Sequence, residues 1–581
     1  MRCARGIGVA LLLAPLLIGH AAAQAPPAPA PEAATGRTLQ HASLARHDMV
    51  VAANPIAAAA GREVLRQGGT AVDAAIATQL ALNLVEPQSS GIGGGAFLVL
   101  WSAAERRVVT FDGRETAPAA AQPDRFLGPD GKPLAFYDAV VGARSVGVPG
   151  VLRMLELAHG RYGKLPWAKL FAPAIRLAET GVPVSPRLHS LLAKDPFLAH
   201  YEPARNYFYA ADGAPKTELL NPELAATLRL IAEGGADAFY TGPIARDIVA
   251  ALRAVPGSLG DLAASDLASY TAKERAPVCG AYRAHRLCGM APPSSGAVTL
   301  LEMLGLLGHF TLAPDRPPSV EAVHLLAEAG RLAYADRVRY LADADFVAVP
   351  VSGLLDPDYV AARAQLIDRE RAMTGPAPPG DPPGGRAEER GDGAAPELPS
   401  TSHISIIDRA GNALAMTTTI ENAFGSRIMV RGFLLNNELT DFSFVPEEQG
   451  RPVANRIAGG KRPLSAMAPT LVFDRHGRIE LVVGSAGGSA IINDVAKTVI
   501  AVLDWNYDLA AAIDLPNDGN RNGATEIEAG PSGAAMAAAL AARGHKVQLT
   551  DRPSGLGGIL ATPRGLEGAA DPRRDGAAMG D

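Results

Sequence analysis

Two patterns of apolar residues recur along the chain, one typical of strands and the other of helices. The runs 97–101, 403–408 and 413–420 are short, apolar or rich in threonine, and bounded by turn residues, so they are predicted to be strands. The longer segments 55–67 and 71–84 carry apolar residues at helical spacing. Most of the chain between 143 and 375 follows this helical pattern. The sequence therefore predicts a large protein of mixed α/β type.

The pattern breaks off just before Thr401. Residues 375–400 are rich in Gly, Pro and charged residues and contain few apolar ones, which predicts a mobile connector. The connector ends directly at Thr401, where the ordered pattern resumes. Thr401 is therefore a candidate for a residue that becomes an N-terminus, and then a nucleophile, once the chain is cut before it.

The predicted hairpin after Thr401 also places a second threonine. If the chain turns at Ala410 and Gly411, the numbers of paired residues sum to about 821, with a slip of one residue left open. Thr419 then lies beside Thr401, since directly opposite residues are roughly 4.5–5.5 Å apart. Neighbouring Thr417 and Thr418 are explained by strand propensity alone.

Two glycine runs invite different interpretations. Gly487 and Gly488 lie between a predicted hairpin, 470–484, and a predicted helix, 490–505, where backbone N–H groups at the helix start can stabilise an oxyanion. A simple tight turn is the alternative. The run at 91–95 follows a helix and opens a strand, the reverse of the order in nucleotide-binding loops, so a nucleotide site is not predicted there.

Charged residues follow several predicted strands. Arg114 comes after the strand at 108–112, and its guanidinium has the shape to hold a carboxylate through two hydrogen bonds. Glu421, Glu438 and Asp441 follow later strands and would suit an ammonium-bearing ligand if they converge on Thr401. Without such convergence, all four would be ordinary solvent-facing residues.

Composition and net charge limit the kinds of molecule that the protein is expected to bind. The chain has 581 residues, of which 48% are hydrophobic, and a net charge of −6, so it can bury a large core and offers no basic face for nucleic acid. Of its three cysteines, Cys279 and Cys288 suit opposite strands of a hairpin. A disulfide and two buried thiols both remain open. The spacing does not match a zinc site, and no metal is predicted.

The N-terminus has the features of a secretory signal. Arg2 and Arg5 precede an apolar run at 9–18 that is too short to span a bilayer, and small residues near position 23 offer a cleavage site. The prediction is a signal peptide over 1–23, with an uncleaved anchor as the alternative. A flexible Ala- and Pro-rich leader over 24–46 would follow. The expected location is periplasmic or secreted, without membrane attachment after cleavage.

Several motifs taken together resemble γ-glutamyltranspeptidase, a family of N-terminal-nucleophile hydrolases. In chain order they are Gly-Gly-Thr-Ala-Val-Asp-Ala-Ala, Val-Glu-Pro-Gln-Ser-Ser-Gly-Ile-Gly-Gly-Gly, Arg-Glu-Thr-Ala-Pro, Thr-Ser-His-Ile-Ser, Leu-Leu-Asn-Asn-Glu-Leu-Thr-Asp-Phe-Ser, Lys-Arg-Pro-Leu-Ser and Gly-Gly-Ser. The resemblance runs from about residue 47 to Arg574. It implies a four-layer αββα sandwich made as one precursor. Cleavage between Ser400 and Thr401 would give a large subunit, 47–400, and a small subunit, 401–581, intertwined as a heterodimer.

The resemblance also implies a role for each candidate residue, with no cofactor or metal. After cleavage, the α-amino group of Thr401, with a reference pKa of about 7.7–8.0, would act as the base for its own hydroxyl. The implied roles are nucleophile for Thr401, hydrogen-bonding partner for Thr419, α-carboxylate binding for Arg114 and Ser465, α-ammonium binding for Glu421, Glu438 and Asp441, and oxyanion stabilisation for Gly487 and Gly488.

One departure from the family pattern keeps alternative functions open. The family has two consecutive serines where this chain has Ser465 and Ala466, so one donor to the carboxylate is missing, a loss of about 1.5–3 kcal/mol. The leading interpretation is a hydrolase and transferase that takes glutathione-like γ-glutamyl donors and an amino acid or peptide acceptor. The alternatives are an acylase of the glutaryl or cephalosporin type, against which Glu421 and Asp441 argue, and a self-processed binding protein with little turnover.

Overall fold

The computed structural model describes residues 36–37, 42–257, 259–315, 317–393, 395 and 400–581. The predicted signal peptide and most of the predicted leader lie outside these residues. The described residues belong to one compact unit, and the position of the proposed cut lies inside it. No helix among the described residues has both the length and the apolar character needed to cross a membrane.

Two seven-stranded antiparallel sheets form the centre of the protein, with strands numbered along the chain. The first sheet has the order β1-β22-β21-β17-β16-β9-β8. Its strands are β1 (Ser43–Ala45), β8 (Val278–Tyr282), β9 (His285–Gly289), β16 (Thr470–Phe473), β17 (Ile479–Gly484), β21 (Gly557–Thr562) and β22 (Gly565–Ala570). The second sheet has the order β23-β2-β10-β11-β3-β4-β7. Its strands are β2 (Met49–Ala52), β3 (Gly95–Ser102), β4 (Arg107–Gly113), β7 (Lys273–Arg275), β10 (Ser402–Ile407), β11 (Ala413–Thr419) and β23 (Ala577–Gly580).

Shorter strands and the helices complete the fold. The short strands are β5 (Val182–Pro183), β6 (Glu218–Leu219), β12 (Met429–Val430), β13 (Phe433–Leu434), β14 (Glu447–Glu448), β15 (Arg451–Pro452), β18 (Asp518–Asn520), β19 (Thr525–Glu528) and β20 (Val547–Thr550). The helices are α1 (Pro55–Arg66), α2 (Ala71–Val85), α3 (Phe136–Val140), α4 (Val151–Tyr162), α5 (Trp167–Thr180), α6 (Pro186–Lys194), α7 (Glu202–Phe208), α8 (Pro222–Gly234), α9 (Asp237–Tyr240), α10 (Pro243–Arg253), α11 (Ala264–Ser269), α12 (Gly296–Leu307), α13 (Val320–Tyr340), α14 (Val351–Leu354), α15 (Pro357–Ala364), α16 (Ile491–Leu503), α17 (Leu509–Asp514) and α18 (Pro531–Ala542).

Alternating side chains of the second sheet build two apolar layers. On β2, Val50 and Ala52 join the core that contains α1, α2, α4 and α5, while Met49 and Val51 join the core shared with the first sheet. Helices α12, α13 and α16 cover the far side of the first sheet. The order is helices, sheet, sheet, helices, which confirms the predicted αββα sandwich.

Helix α2 lies at the centre of the first of these cores. All of its residues are buried, and it consists mainly of alanine and leucine, with small side chains that allow close packing. Thr70 caps its N-terminus by accepting a hydrogen bond from Asp73 N, and the Asp73 carboxylate accepts one from Thr70 N in return. The predicted helices at 55–67 and 71–84 are both confirmed to within one residue of their ends.

The hairpin after Thr401 forms as predicted, with a register one residue away from the first choice. Ser402 pairs with Thr418 and Ile407 with Ala413, so paired numbers sum to 820. Asp408 explains the shift, because its carboxylate accepts hydrogen bonds from Ala410 N and Asn412 N and shapes a five-residue turn. This register places Thr419 directly across from Thr401.

Cys279 and Cys288 face each other on β8 and β9 and form a disulfide. The structure thus selects one of the two alternatives that the sequence left open.

The predicted mobile connector lies against α13 as far as it is described, through hydrogen bonds from Gly380 N to Asp336 Oδ1 (2.6 Å) and from Gly393 N to Val338 O (3.0 Å). Its mobility in solution stays a prediction.

A buried pair of histidines connects α13 to the C-terminal part of the chain. His324 Nε2 faces Asp368 O at 2.7 Å, and because a carbonyl only accepts, this nitrogen carries the proton. His324 Nδ1 then accepts from His545 Nε2 at 2.7 Å, and His545 Nδ1 accepts from the Thr525 hydroxyl at 2.9 Å. Burial lowers the pKa of His545 to about 4.

This pair predicts loss of stability in acid. The unfolded chain binds a proton at His545 below about pH 6.5, whereas the folded chain does so only below about 4. The free energy of unfolding should therefore fall by about 3 kcal/mol as the pH drops through that window. We expect His545→Asn to reduce this pH dependence in urea titrations, whereas His476→Asn, at an exposed position, should not. Equal pH dependence in all three proteins would contradict the assignment.

Candidate active site

Strand directions bring the candidate residues to one edge of the second sheet. Because neighbouring strands are antiparallel, the starts of β10 and β3 meet the ends of β11 and β4 at the same edge. Thr401 precedes β10, Thr419 ends β11, and Arg114 follows β4 directly. The convergence predicted for these three residues therefore follows from sheet topology.

Two hydroxyl groups point at one carbonyl oxygen. Thr401 Oγ1 donates a hydrogen bond to Ser400 O at 2.6 Å, and Thr419 Oγ1 donates to the same atom at 3.0 Å. Glu421 N donates to Thr419 Oγ1 at 2.8 Å and fixes its orientation. Both threonines are nearly buried, with 4% and 3% of their surface exposed. A negative charge that develops on Ser400 O would be stabilised by Thr419.

The Ser400–Thr401 peptide is held from both sides. The Ser400 hydroxyl donates to Gln88 O at 2.9 Å, and Arg574 Nη1 donates to Thr401 O at 3.2 Å. Gln88 belongs to the loop that follows α2, and Arg574 lies just before β23. Two distant parts of the chain thus position this one peptide bond.

Arg114 is buried and donates to four acceptors. Its guanidinium donates to Asp441 Oδ2 at 2.5 Å, to Leu464 O at 2.8 Å, to Pro463 O at 3.2 Å and to Glu438 Oε1. Burial opposes its charge, but Glu438 and Asp441 outweigh burial and raise the pKa of Arg114. The guanidinium therefore stays charged and organises the carboxyl groups around it.

Several buried carboxyl groups surround the single guanidinium of Arg114. Burial raises the pKa of Glu115 well above its ordinary value, and the nearby Glu438 adds to the effect. Burial likewise raises the pKa of Glu438, although Arg114 lowers it. Three carboxyl groups, those of Glu115, Glu438 and Asp441, share one guanidinium. Glu115 belongs to this cluster although the sequence did not single it out.

The glycine loop leads from the first sheet into α16. Gly487 has φ = 138° and Gly488 has φ = 58°, values that favour glycine, and a short 3₁₀ turn then connects to the helix. Gly488 and Ile491, the first residue of α16, line the same narrow pocket as Thr401. This position suits stabilisation of an oxyanion by backbone N–H groups.

One narrow pocket gathers nearly every candidate residue. Gly487 is not part of its wall but directly precedes Gly488. The pocket is lined by Arg114, Ser400, Thr401, Thr419, Glu421, Glu438, Asp441, Ser465, Ala466, Met467, Gly488 and Ile491.

Comparison with known proteins agrees with this geometry. A family model described as gamma-glutamyltranspeptidase matches residues 57–581. The chain belongs to the gamma-glutamyltranspeptidase family. A glutathione hydrolase proenzyme of Bacillus subtilis (strain 168) is 36% identical over 603 residues, covering 100% of this chain and 98% of that protein. An acylase ACY 1 proenzyme of Pseudomonas sp. (strain SE83) is 36% identical, covering 95% and 96%. The crystal structure of a cephalosporin acylase from Bacillus halodurans has a TM-score of 0.80 at 28% identity, covering 96% and 98%.

Two asparagines that sequence reasoning missed support the site of this gamma-glutamyltranspeptidase family member. Asn437 donates to the Glu421 carboxylate and accepts from Asn422 N at 2.9 Å. Asn455 donates to Asp441 O at 2.7 Å and accepts from Leu464 N at 3.0 Å, which ties two pocket segments together. Asn437 stands inside the Leu-Leu-Asn-Asn-Glu motif and was open to detection, whereas nothing in the sequence near Asn455 points to the site.

Proposed function

We propose that this protein is a self-processing γ-glutamyl hydrolase and transferase that acts on glutathione and related γ-glutamyl compounds. The observation that carries the proposal is the convergence of the Thr401 and Thr419 hydroxyls on Ser400 O, beside the Arg114 cluster. Membership of the gamma-glutamyltranspeptidase family supports it.

Processing would use the contacts at the Ser400–Thr401 bond. Thr401 Oγ1 attacks the Ser400 carbonyl carbon, and the Thr419 hydroxyl stabilises the negative charge on Ser400 O. The peptide nitrogen takes up the proton of the Thr401 hydroxyl and leaves as the free α-amino group of Thr401, and Ser400 is left as an ester on the threonine oxygen. Water hydrolyses that ester. The products are a large and a small subunit that remain together as a heterodimer.

Turnover would then repeat the same chemistry on a donor. The new α-amino group takes the proton of the Thr401 hydroxyl, which attacks the γ-carbonyl carbon of the donor. N–H groups of Gly487 and Gly488 stabilise the oxyanion. The leaving amine takes up the proton, and a γ-glutamyl ester forms on Thr401. Water or the amine of an amino acid or peptide acceptor releases the acyl group.

Donor recognition in this proposal rests on opposite charges. Arg114 and Ser465 hold the α-carboxylate, and Glu421, Glu438 and Asp441 hold the α-ammonium. Because Arg114 already donates to Glu438 and Asp441, we expect a ligand carboxylate to replace one of these contacts. The displaced carboxylate is then available to the ligand ammonium, so the two recognition events are coupled.

Export to the periplasm or the medium completes the proposal. Its support is the N-terminal sequence, in which basic residues precede a short apolar run and small residues.

An acylase on glutaryl-type side chains is the second candidate. Ala466 lines the pocket where the family pattern has a serine, and a cephalosporin acylase is among the similar structures. Release of p-nitroaniline from γ-glutamyl and glutaryl anilides, with and without glycylglycine, separates the candidates. Preference for the γ-glutamyl anilide with acceleration by glycylglycine supports the first function, and preference for the glutaryl anilide the second. Failure to release p-nitroaniline from either would refute both.

Ala466→Ser is predicted to improve donor binding. Ser465 Oγ accepts from Met467 N at 3.2 Å, which leaves its proton for a ligand, and a serine at 466 would add a second donor at the pocket wall. We expect KM for the γ-glutamyl anilide to fall several-fold, part of the gain being offset by desolvation. The glutaryl anilide, which lacks the α-carboxylate, is the control. An unchanged KM for the γ-glutamyl anilide would favour the acylase function.

A further inference from the structure

A second cavity, larger than the pocket at Thr401, lies between α13, α16 and α18. Its volume is about 340 Å³. The wall is mostly apolar and includes Val323, Leu326, Trp505, Ile527 and Met536. The two cavities have no lining residue in common. An apolar cavity of about 150 Å³ already accepts a molecule such as benzene, so this one has room for a longer ligand.

One acidic group in the wall lacks a donor. Asp518 is only 8% exposed, and its Oδ1 accepts no hydrogen bond from any part of the chain that the structure describes. Burial raises the pKa of Asp518 to about 6. A buried acceptor without a donor is costly, so a ligand that donates to Asp518 would be favoured.

One basic group in the wall keeps a spare donor. Lys497 Nζ donates to Leu515 O and to Asn517 Oδ1, both at 2.8 Å, and an ammonium group has three N–H bonds. Within the described residues, no ion pair of 4.0 Å or less joins Lys497 to Asp518. Burial lowers the pKa of Lys497 to about 8, which fits surroundings with little water. The cavity thus presents one acceptor and one donor that do not satisfy each other.

We propose that this cavity binds a medium-chain aliphatic molecule that ends in a hydroxyl or a primary carboxamide. The chain would fill the apolar part, and the head group would donate to Asp518 and accept from Lys497. Hydroxyl and carboxamide groups do both, whereas an ammonium only donates and a carboxylate only accepts. The proposal is independent of the chemistry at Thr401, because no residue is shared.

Four probes with the same chain test the head-group preference. We would titrate 1-octanol, octanamide, n-octylamine and octanoate into the purified protein by calorimetry and follow Trp505 fluorescence. Saturable binding is expected for 1-octanol and octanamide, with the other two at least about tenfold weaker, since each leaves one buried group unpaired. Failure of 1-octanol and octanamide to bind, or equal affinity for all four probes, would overturn the proposal.

Two alanines of α18 provide a matched pair of variants. Both are exposed, but only Ala535 lines the cavity, whereas Ala538 does not. Ala535→Phe should abolish 1-octanol binding and Ala538→Phe should preserve it, with release of p-nitroaniline unchanged in both. Normal binding by Ala535→Phe would contradict the location.

Asp518→Asn, which brings an N–H donor and removes a charge, should raise the affinity for octanoate relative to 1-octanol, and an unchanged ratio would exclude contact with Asp518.

Discussion

Thr401→Ala is expected to remain a single polypeptide without γ-glutamyl or glutaryl hydrolase activity, whereas the wild-type protein is expected to be cleaved into two chains. The substitution removes the hydroxyl that lies 2.6 Å from Ser400 O and leaves no nucleophile for either reaction. Denaturing electrophoresis checks the number of chains. N-terminal sequencing of the smaller wild-type chain should read Thr-Ser-His-Ile-Ser.

Thr418 supplies the matched control for this prediction. It is a fully buried threonine on β11, adjacent to Thr419, and its Oγ1 makes no hydrogen bond within the described residues. Thr418→Ala should therefore still give two chains. An uncut wild-type protein with full activity, or cleavage of Thr401→Ala at the same bond, would rule out the assigned role.

Arg114→Ala is expected to lower kcat/KM for the γ-glutamyl anilide by about 30-fold or more while self-cleavage continues. Without the guanidinium, the α-carboxylate of the donor loses its main partner, and the buried Glu438 and Asp441 lose their counter-charge. Removal of one member of such a buried charged set costs about 2–5 kcal/mol. Steady-state kinetics on processed protein measures the effect.

A buried arginine outside the pocket provides a control that distinguishes loss of donor binding from general destabilisation of the protein. Arg125 donates to both oxygens of Asp261, at 2.7 and 2.8 Å, and does not line the pocket at Thr401. Arg125→Ala removes a comparable ion pair and should leave kcat/KM nearly unchanged. If Arg114→Ala and Arg125→Ala lower kcat/KM equally, Arg114 has no specific part in donor binding.

Local features of the fold were predictable because they depend on neighbouring residues. Apolar spacing located α1 and α2, and two short apolar or threonine-rich runs bounded by turn residues located the hairpin. The exact register was less accessible, since the Asp408 side chain decides it by bonding to Ala410 N and Asn412 N. A one-residue change of this kind follows from two hydrogen bonds rather than from any periodic pattern.

The sequence identified most residues of the site but not the contacts between them. Motif order pointed to Arg114 and Asp441, yet 327 positions separate them, and only the fold shows that they bond to each other before any ligand arrives. Asn455, which donates to the backbone of Asp441, was not predictable even as a residue. Glu115 stands in the Arg-Glu-Thr-Ala-Pro motif, but its place in the buried cluster could not be read from that motif. The cavity at Asp518 and the histidine pair at His545 had no distinctive local pattern. Each of them depends on contacts across the sandwich.

Strand order has a consequence for what a cut before Thr401 does to the molecule. Strands from before and after that position alternate in both sheets, and five neighbouring pairs join the two pieces: β23 with β2, β2 with β10, β11 with β3, β22 with β1, and β16 with β9. The two pieces can separate only if the hydrogen bonds between these strand pairs break in both sheets, so dilution should not inactivate the cut protein. Once unfolded, however, they must find each other again by diffusion, which a single chain never has to do. After such a cut, the lifetime of the active protein would therefore depend on its rate of unfolding rather than on a reversible folding equilibrium.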